Sequence, residues 1–80
     1  MLTKPQWNLL KAIARDGKVF QPTSADFVGR HALGNPATVL RSLKSLHKME
    51  LIHRETDSGG NAYYGVYDVL FRRWIDRFMN

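Results

Sequence analysis

The most constraining feature of this 80-residue chain is the order of start and stop signals across residues 22–67. Pro22-Thr23-Ser24 predicts the start of a short helix, because a Thr or Ser hydroxyl caps the first turn. Asn35-Pro36 predicts the start of a longer helix, since Asn caps well and proline is tolerated at the first helical position. Strand-forming runs at 51–55 and 62–67 then flank a turn rich in Gly and Asn.

The residues on either side predict a first helix, a short strand and a last helix. Thr3 and Gln6 stand at capping-box spacing, and Gly17 predicts the end of the first helix. Residues 18–20 predict an extended edge segment that pairs with the hairpin, and a last helix is expected from about Asp68. Both helices have an apolar side at helical spacing. These residues are Trp7, Leu10, Ile13 and Ala14 in the first helix, and Leu70, Phe71, Trp74, Ile75 and Phe78 in the last.

The predicted order is therefore helix, strand, helix, helix, two strands and helix. This is an α+β arrangement with a three-helix core, a small antiparallel sheet and a C-terminal helix. It is the layout of a winged helix-turn-helix, which presents its third helix to a partner, most often the DNA major groove. We expect residues 1–80 to form one such domain, because a chain of this length can build only one small core.

The third predicted helix, residues 36–49, divides into two sides when its residues are projected at helical periodicity. Val39, Leu40, Leu43 and Leu46 cluster on one side, which we expect to pack into the core. The other side is small, hydroxylated and basic, which suits close approach to a groove and contact with base edges or phosphates. The candidate nucleic-acid contacts are Asn35, Thr38, Arg41, Lys44, Ser45 and Lys48, together with Arg54 at the base of the hairpin.

Different contacts are expected from the two ends of this helix. Its N-terminal residues enter a major groove deepest in such a fold, and Arg41 is therefore expected to contact a base. Phosphate contacts are expected from Lys44, Ser45 and Lys48. The predicted partner is double-stranded DNA.

The charge distribution supports a polyanionic partner but leaves an alternative open. The chain has a formal net charge of +5 and a pI near 10.0. Residues 35–54 are basic, with Arg41, Lys44, Lys48 and Arg54 against Glu50, whereas residues 55–67 hold only Glu55 and Asp57 as charged residues. A hairpin tip without Lys or Arg is not expected to bind phosphate. Because any amphipathic helix of a basic protein has a basic solvent side, protein docking remains the alternative to DNA binding.

The sequence gives no signal for catalysis, for a metal or for a cofactor, and we expect a non-enzymatic domain. It contains no cysteine, and His31, His47 and His53 lack the spacing of metal ligands. The two glycines of residues 29–34 have phosphate-loop spacing, but Asn35 follows them instead of lysine. Apolar runs are far shorter than the roughly 18 residues of a membrane span, and no secretion signal is evident, which favours a cytoplasmic protein without a membrane partner.

Several segments in a fixed order resemble a known family. In chain order they are Leu2-Thr3 with Gln6, residues 9–14, Pro22-Thr23-Ser24, Leu33-Gly34, and residues 38–46, 51–55 and 66–74. Together they resemble the C-terminal winged-helix region of the archaeal-type P-loop ATPases, a branch of the AAA+/STAND NTPases, over nearly the whole chain. One position departs from that family, since Val69 stands where its members often have proline.

The resemblance implies that the chain is one domain of a larger ATPase. The ATPase core of that parent would then be a partner, with this domain binding DNA or docking on the core to regulate it. The chain contains no Walker motif, so ATP binding is not implied for it. The apolar side of the last helix has two interpretations. Phe71, Trp74 and Phe78 would either complete the core on the first helix, or dock on a neighbouring domain or on a second copy in a homodimer.

Overall fold

A computed structural model describes residues 2–66, and within them three helices precede a two-stranded antiparallel sheet. The elements are α1 (Lys4–Asp16), α2 (Ala25–Arg30), α3 (Pro36–Lys48), β1 (Ile52–Thr56) and β2 (Ala62–Val66). This order confirms the predicted α+β succession of helices and hairpin. The predicted C-terminal helix lies outside the described residues. No helix in the described part of the chain is both long and apolar enough to cross a membrane.

Each helix begins at a side chain that caps its first turn. Thr3 and Gln6 form the expected capping box at the start of α1. Of the two candidate caps for α2, the hydroxyl of Ser24 accepts the hydrogen bond. The Oδ1 atom of Asn35 accepts a 2.9 Å hydrogen bond from the backbone N–H of Thr38 and thereby fixes the start of α3. These caps satisfy N–H groups that the first turn of a helix leaves without a partner.

The core lies mainly between α1 and α3. Its largest fully buried side chains come from both helices and from the start of β1, and Trp7 and Leu51 pack against them at the edge. These buried side chains are Leu9, Leu10, Ile13, Leu46, Ile52 and Val39. Leu9, which is not among the four apolar residues at helical spacing in α1, is therefore also a full member of the core.

The prediction that Leu40 packs into the core is wrong. Leu40 is 44% exposed, whereas the buried side of α3 consists of Val39, Ser42, Leu43 and Leu46. These four positions follow helical spacing and form the stripe that can contact α1. Leu40 lies one step round the helix from this stripe, towards the hairpin. Its hydrophobicity favoured burial. However, the side of α3 that contacts α1 covers a smaller part of the helix circumference than the apolar residues of the helix do, and Leu40 lies outside it.

The expected edge strand at residues 18–20 is reduced to one bridge. The backbone N–H of Val19 donates to the carbonyl of Tyr64 at 2.9 Å, and the N–H of Tyr64 donates to the carbonyl of Val19 at 2.8 Å. Within the hairpin, β1 and β2 pair in a register that places Arg54 opposite Tyr64. The bridge therefore joins the segment after α1 to the hairpin at the level of Arg54.

Leu46→Ala should lower the free energy of unfolding by about 2–5 kcal/mol, because Leu46 is fully buried and its truncation leaves a cavity. The matched variant is Leu40→Ala, the same chemical change on the same helix. It should cost about 1 kcal/mol or less, since much of this side chain already contacts solvent. Urea unfolding followed by circular dichroism measures both losses. Equal losses in the two variants would contradict the assignment of Leu40 to the surface.

Candidate nucleic-acid interface

The solvent side of α3 forms a continuous surface, which we call the α3 face. Its members are exposed and recur three or four positions apart, so that they line one side of the helix. They are Ala37, Leu40, Arg41, Lys44, His47 and Lys48.

The structure brings the predicted basic residues together on one side of the molecule. Arg41, Lys44 and Lys48 are exposed on the α3 face. Arg54 is exposed on β1, and it lines the same hollow as Lys44 and Lys48. Four exposed cations from two elements therefore lie on one side of the described part of the chain.

The predicted polar residues without charge lie at the margin of this surface. Thr38 and Ser45 are only half-exposed, on the flank of α3. Asn35 is exposed at the start of the helix, but its Oδ1 atom already accepts the capping hydrogen bond. Its side-chain amide nitrogen is the atom that remains for an outside acceptor.

Sequence reasoning missed two members of the α3 face. Leu40 was expected in the core, and His47 was not among the candidate nucleic-acid contacts. Both are exposed beside Lys44. The available signal was the spacing itself, because 37, 40, 44 and 47 follow one another at helical intervals.

A hollow of about 260 Å³ lies between α3 and the hairpin, and we call it the α3–hairpin groove. Its floor is apolar, with Leu43 buried and Tyr64 half-buried, and its rim is basic. The residues around it are Leu40, Leu43, Lys44, His47, Lys48, Arg54 and Tyr64. A second hollow, which reaches Phe20 and Pro22, adjoins it along Leu40, Leu43 and Tyr64.

The cations of this surface are available to an outside anion. Within residues 2–66, Arg41, Lys44, Lys48 and Arg54 form no ion pair with a carboxylate. Arg30 of α2 shows the contrast, because its guanidinium lies 3.0 Å from Asp16 and 3.1 Å from Asp26. The hydrogen bonds that Arg30 donates, to Asp16 first and then to Asp26, raise its pKa above the ordinary value.

The hairpin tip is held by the carboxylate that makes it acidic. One oxygen of Asp57, Oδ1, accepts hydrogen bonds from the backbone N–H groups of Gly59 and Asn61, both at 2.9 Å. These bonds, that from Asn61 first, hold the pKa of Asp57 below its ordinary value, and the positive charge of Lys18 adds to the effect. Asp57 is therefore a turn-forming residue, because an Asp side chain can replace a backbone acceptor in such turns.

The histidines do not form a metal site in the described part of the chain. Nε2 of His31 lies 3.2 Å from Asp16 Oδ1, and Nε2 of His53 lies 3.2 Å from the carbonyl of Val66. His47 belongs to the α3 face. Residues 2–66 contain no group of three or more His, Asp or Glu side chains arranged to hold a metal ion.

One comparison with known proteins gives a match. The model of a family described as "Probable winged helix domain" matches residues 1–77, nearly the full length of the chain. No curated protein and no solved structure gives a significant match.

Protonation of Asp57 should loosen the hairpin tip. Its pKa is lower in the folded chain than the ordinary 3.8, so the ionised carboxylate stabilises the fold above the unfolded-state pKa. That contribution disappears as the pH falls through the lower, folded-state value. The amide chemical shifts of Gly59 and Asn61, followed by NMR from neutral to acidic pH, should change together over this range.

Two variants of Asp57 separate the hydrogen bonds from the charge. At neutral pH, Asp57→Ala should give Gly59 and Asn61 the shifts that the wild type shows in acid. Asp57→Asn keeps an acceptor oxygen and should leave both shifts close to the neutral wild type. Shifts in Asp57→Ala that match the neutral wild type would show that the carboxylate does not hold the turn.

Proposed function

Because the chain belongs to the winged helix domain family, we propose that it binds double-stranded DNA through the α3 face. Domains of this kind commonly bind DNA or proteins, and they generally act without catalysis. The proposal therefore describes a binding equilibrium, in which the chain recognises a duplex and makes or breaks no covalent bond.

The observation that carries the proposal is the set of four exposed cations around α3. Arg41, Lys44, Lys48 and Arg54 lie on one side, and none of them is neutralised by a carboxylate of residues 2–66. Their approach to phosphates would release counterions from the duplex, which is the main source of affinity in such complexes. A cation that is already paired, such as Arg30, would first have to break its ion pairs before it could bind a phosphate.

Position along α3 assigns a role to each group of residues. Ala37 is small, and it lets the N-terminal half of the helix approach base edges closely. Arg41 lies one turn later, where its guanidinium can bind guanine O6 and N7 together. Lys44 and Lys48 lie further along the helix, and we assign them to phosphates together with Arg54. Thr38, Ser45 and the amide of Asn35 are assigned to the edge of the interface.

The hairpin contributes to this interface through the middle of β1 rather than through its tip. Asp57 at the tip would repel a phosphate, and its oxygen Oδ1 already accepts two hydrogen bonds within the turn. Arg54 is separated from the tip along β1 and lies beside the C-terminal half of α3. We therefore assign the phosphate contact of the hairpin to Arg54.

Arg41→Ala should weaken binding to a duplex selected from random sequences by about 1–3 kcal/mol, and it should relax the preference at one base pair. Lys48→Ala should weaken binding to all duplexes to a similar extent. It should also reduce the slope of log affinity against log salt concentration by about 1, because one phosphate contact is lost. Fluorescence anisotropy with labelled duplexes at several salt concentrations measures both effects.

The control for these variants is Lys11→Ala, which removes the same charge from the hollow between α1 and α2. Its affinity and salt slope should remain close to those of the wild type. If wild-type protein fails to bind random or selected duplexes at low salt, the proposed function is wrong. If Lys11→Ala weakens binding as much as Lys48→Ala does, net charge rather than the α3 face determines affinity.

A second candidate function is docking on another protein, favoured by the apolar floor of the α3–hairpin groove. Under this proposal the chain is a domain of a larger P-loop ATPase that docks on the ATPase core. The apolar residues predicted for the last helix, Phe71, Trp74 and Phe78, would extend the contact or join two copies as a homodimer. The sequence resemblance supports this setting, and a Walker motif in the parent protein would be its first test.

Trp74→Ala and Phe78→Ala should weaken association with the ATPase core of the parent by about 2 kcal/mol or more if these side chains anchor the contact. Both variants should retain the duplex affinity of the wild type, because neither residue belongs to the α3 face. Titration calorimetry with the separate ATPase core measures the association. Unchanged association in both variants would contradict docking through the last helix.

A further inference from the structure

We propose that Leu40 recognises the 5-methyl group of thymine, so that the duplex preferred by this chain contains thymine beside guanine. The inference rests on the proposed DNA-binding function and adds which base the α3 face prefers. It starts from the side chain of Leu40, which is apolar and exposed although its neighbours on the α3 face are mostly cationic.

Leu40 is the large apolar side chain of the α3 face. It is 44% exposed, whereas Leu43, which lines the same hollows, is 4% exposed. Leu40 also lines both adjoining hollows, the one that reaches Arg54 and the one that reaches Phe20, and therefore stands between them. Leu43, which is buried in the core, and Tyr64, which packs against the core, line both hollows together with Leu40. Leu40 is therefore the exposed member of an apolar group whose other two members are buried or half-buried.

An apolar side chain on a groove-reading helix has one matching group among the base edges. In the major groove, adenine, guanine and cytosine present hydrogen-bond donors and acceptors, whereas thymine also presents a methyl group. Leu40 placed against a donor or acceptor would take that group out of water without replacing its hydrogen bond, which is unfavourable. Placed against the thymine methyl, it buries apolar surface on both sides. The contact therefore discriminates in favour of thymine.

The neighbours of Leu40 extend the inference to a second base. Arg41 follows it directly, about 1.5 Å further along the helix axis, while successive base pairs lie about 3.4 Å apart. Contacts from the two residues should therefore fall on the same or adjacent base pairs. Because Arg41 suits guanine, thymine and guanine are expected next to each other. Ala37, one turn before Leu40, leaves room for the approach.

The test uses the full chain and duplexes selected from a random library. Selection should enrich a site with thymine next to guanine. Replacing that thymine by deoxyuridine removes only the methyl group and should weaken binding about four-fold, the effect of one buried methyl. In Leu40→Ala, the thymine and deoxyuridine duplexes should bind with equal affinity.

Met49→Ala is the matched control, because Met49 is 45% exposed at the C-cap of α3 but lies outside the α3 face. It should keep the wild-type preference for thymine over deoxyuridine. Circular dichroism checks that both variants are folded.

The outcomes separate the inference from the function on which it rests. Failure of the wild type to bind any duplex would overturn the proposed function, and the inference with it. Duplex binding that is equally strong with thymine and deoxyuridine at every position would overturn the inference alone. The same holds if Leu40→Ala keeps the four-fold preference, because another residue would then contact the methyl group.

Discussion

The packing of α1 against α3 is the interaction on which the rest of the surface depends. Leu9, Leu10 and Ile13 of α1 are fully buried, and the side of α3 that carries Val39 and Leu46 is buried with them. A helix that uses one side for such a contact turns the opposite side to solvent. The orientation of the α3 face therefore follows from the core, and a basic face on a poorly packed α3 would have no fixed direction.

The parts of the fold that depend on short-range contacts could be predicted from the sequence. The capping bonds of Thr3, Ser24 and Asn35 each join residues three positions apart, so both partners stand close together in the sequence. The edge strand depended instead on where the chain after α1 meets the hairpin, and only Val19 pairs there. The strand propensity of a short segment does not determine which of its residues pairs with a strand that is distant in the sequence.

The exposure of the site residues could be predicted from the sequence where it depends on charge alone. Long cationic side chains are almost always at the surface, whereas small polar ones such as Thr38 and Ser45 tolerate either environment and lie at the margin. Leu40 was misplaced because its hydrophobicity suggested a neighbour that α1 does not provide. The negative charge of Asp57 is evident from the sequence, but its role in the turn depends on hydrogen bonds that it accepts from the N–H groups of Gly59 and Asn61, which a count of charges does not include.

Arg41 is the residue whose position separates the two candidate functions. Lys44, Lys48 and Arg54 form the rim of the α3–hairpin groove, so their charges would favour an acidic protein segment in the groove as well as a phosphate backbone. Arg41 lies on the α3 face but lines neither of the two adjoining hollows. A partner seated in the groove would gain little from its guanidinium, whereas a duplex lying along α3 would place base edges within its reach. A large contribution of Arg41 to the binding free energy would therefore favour a duplex over a protein segment in the groove as the partner.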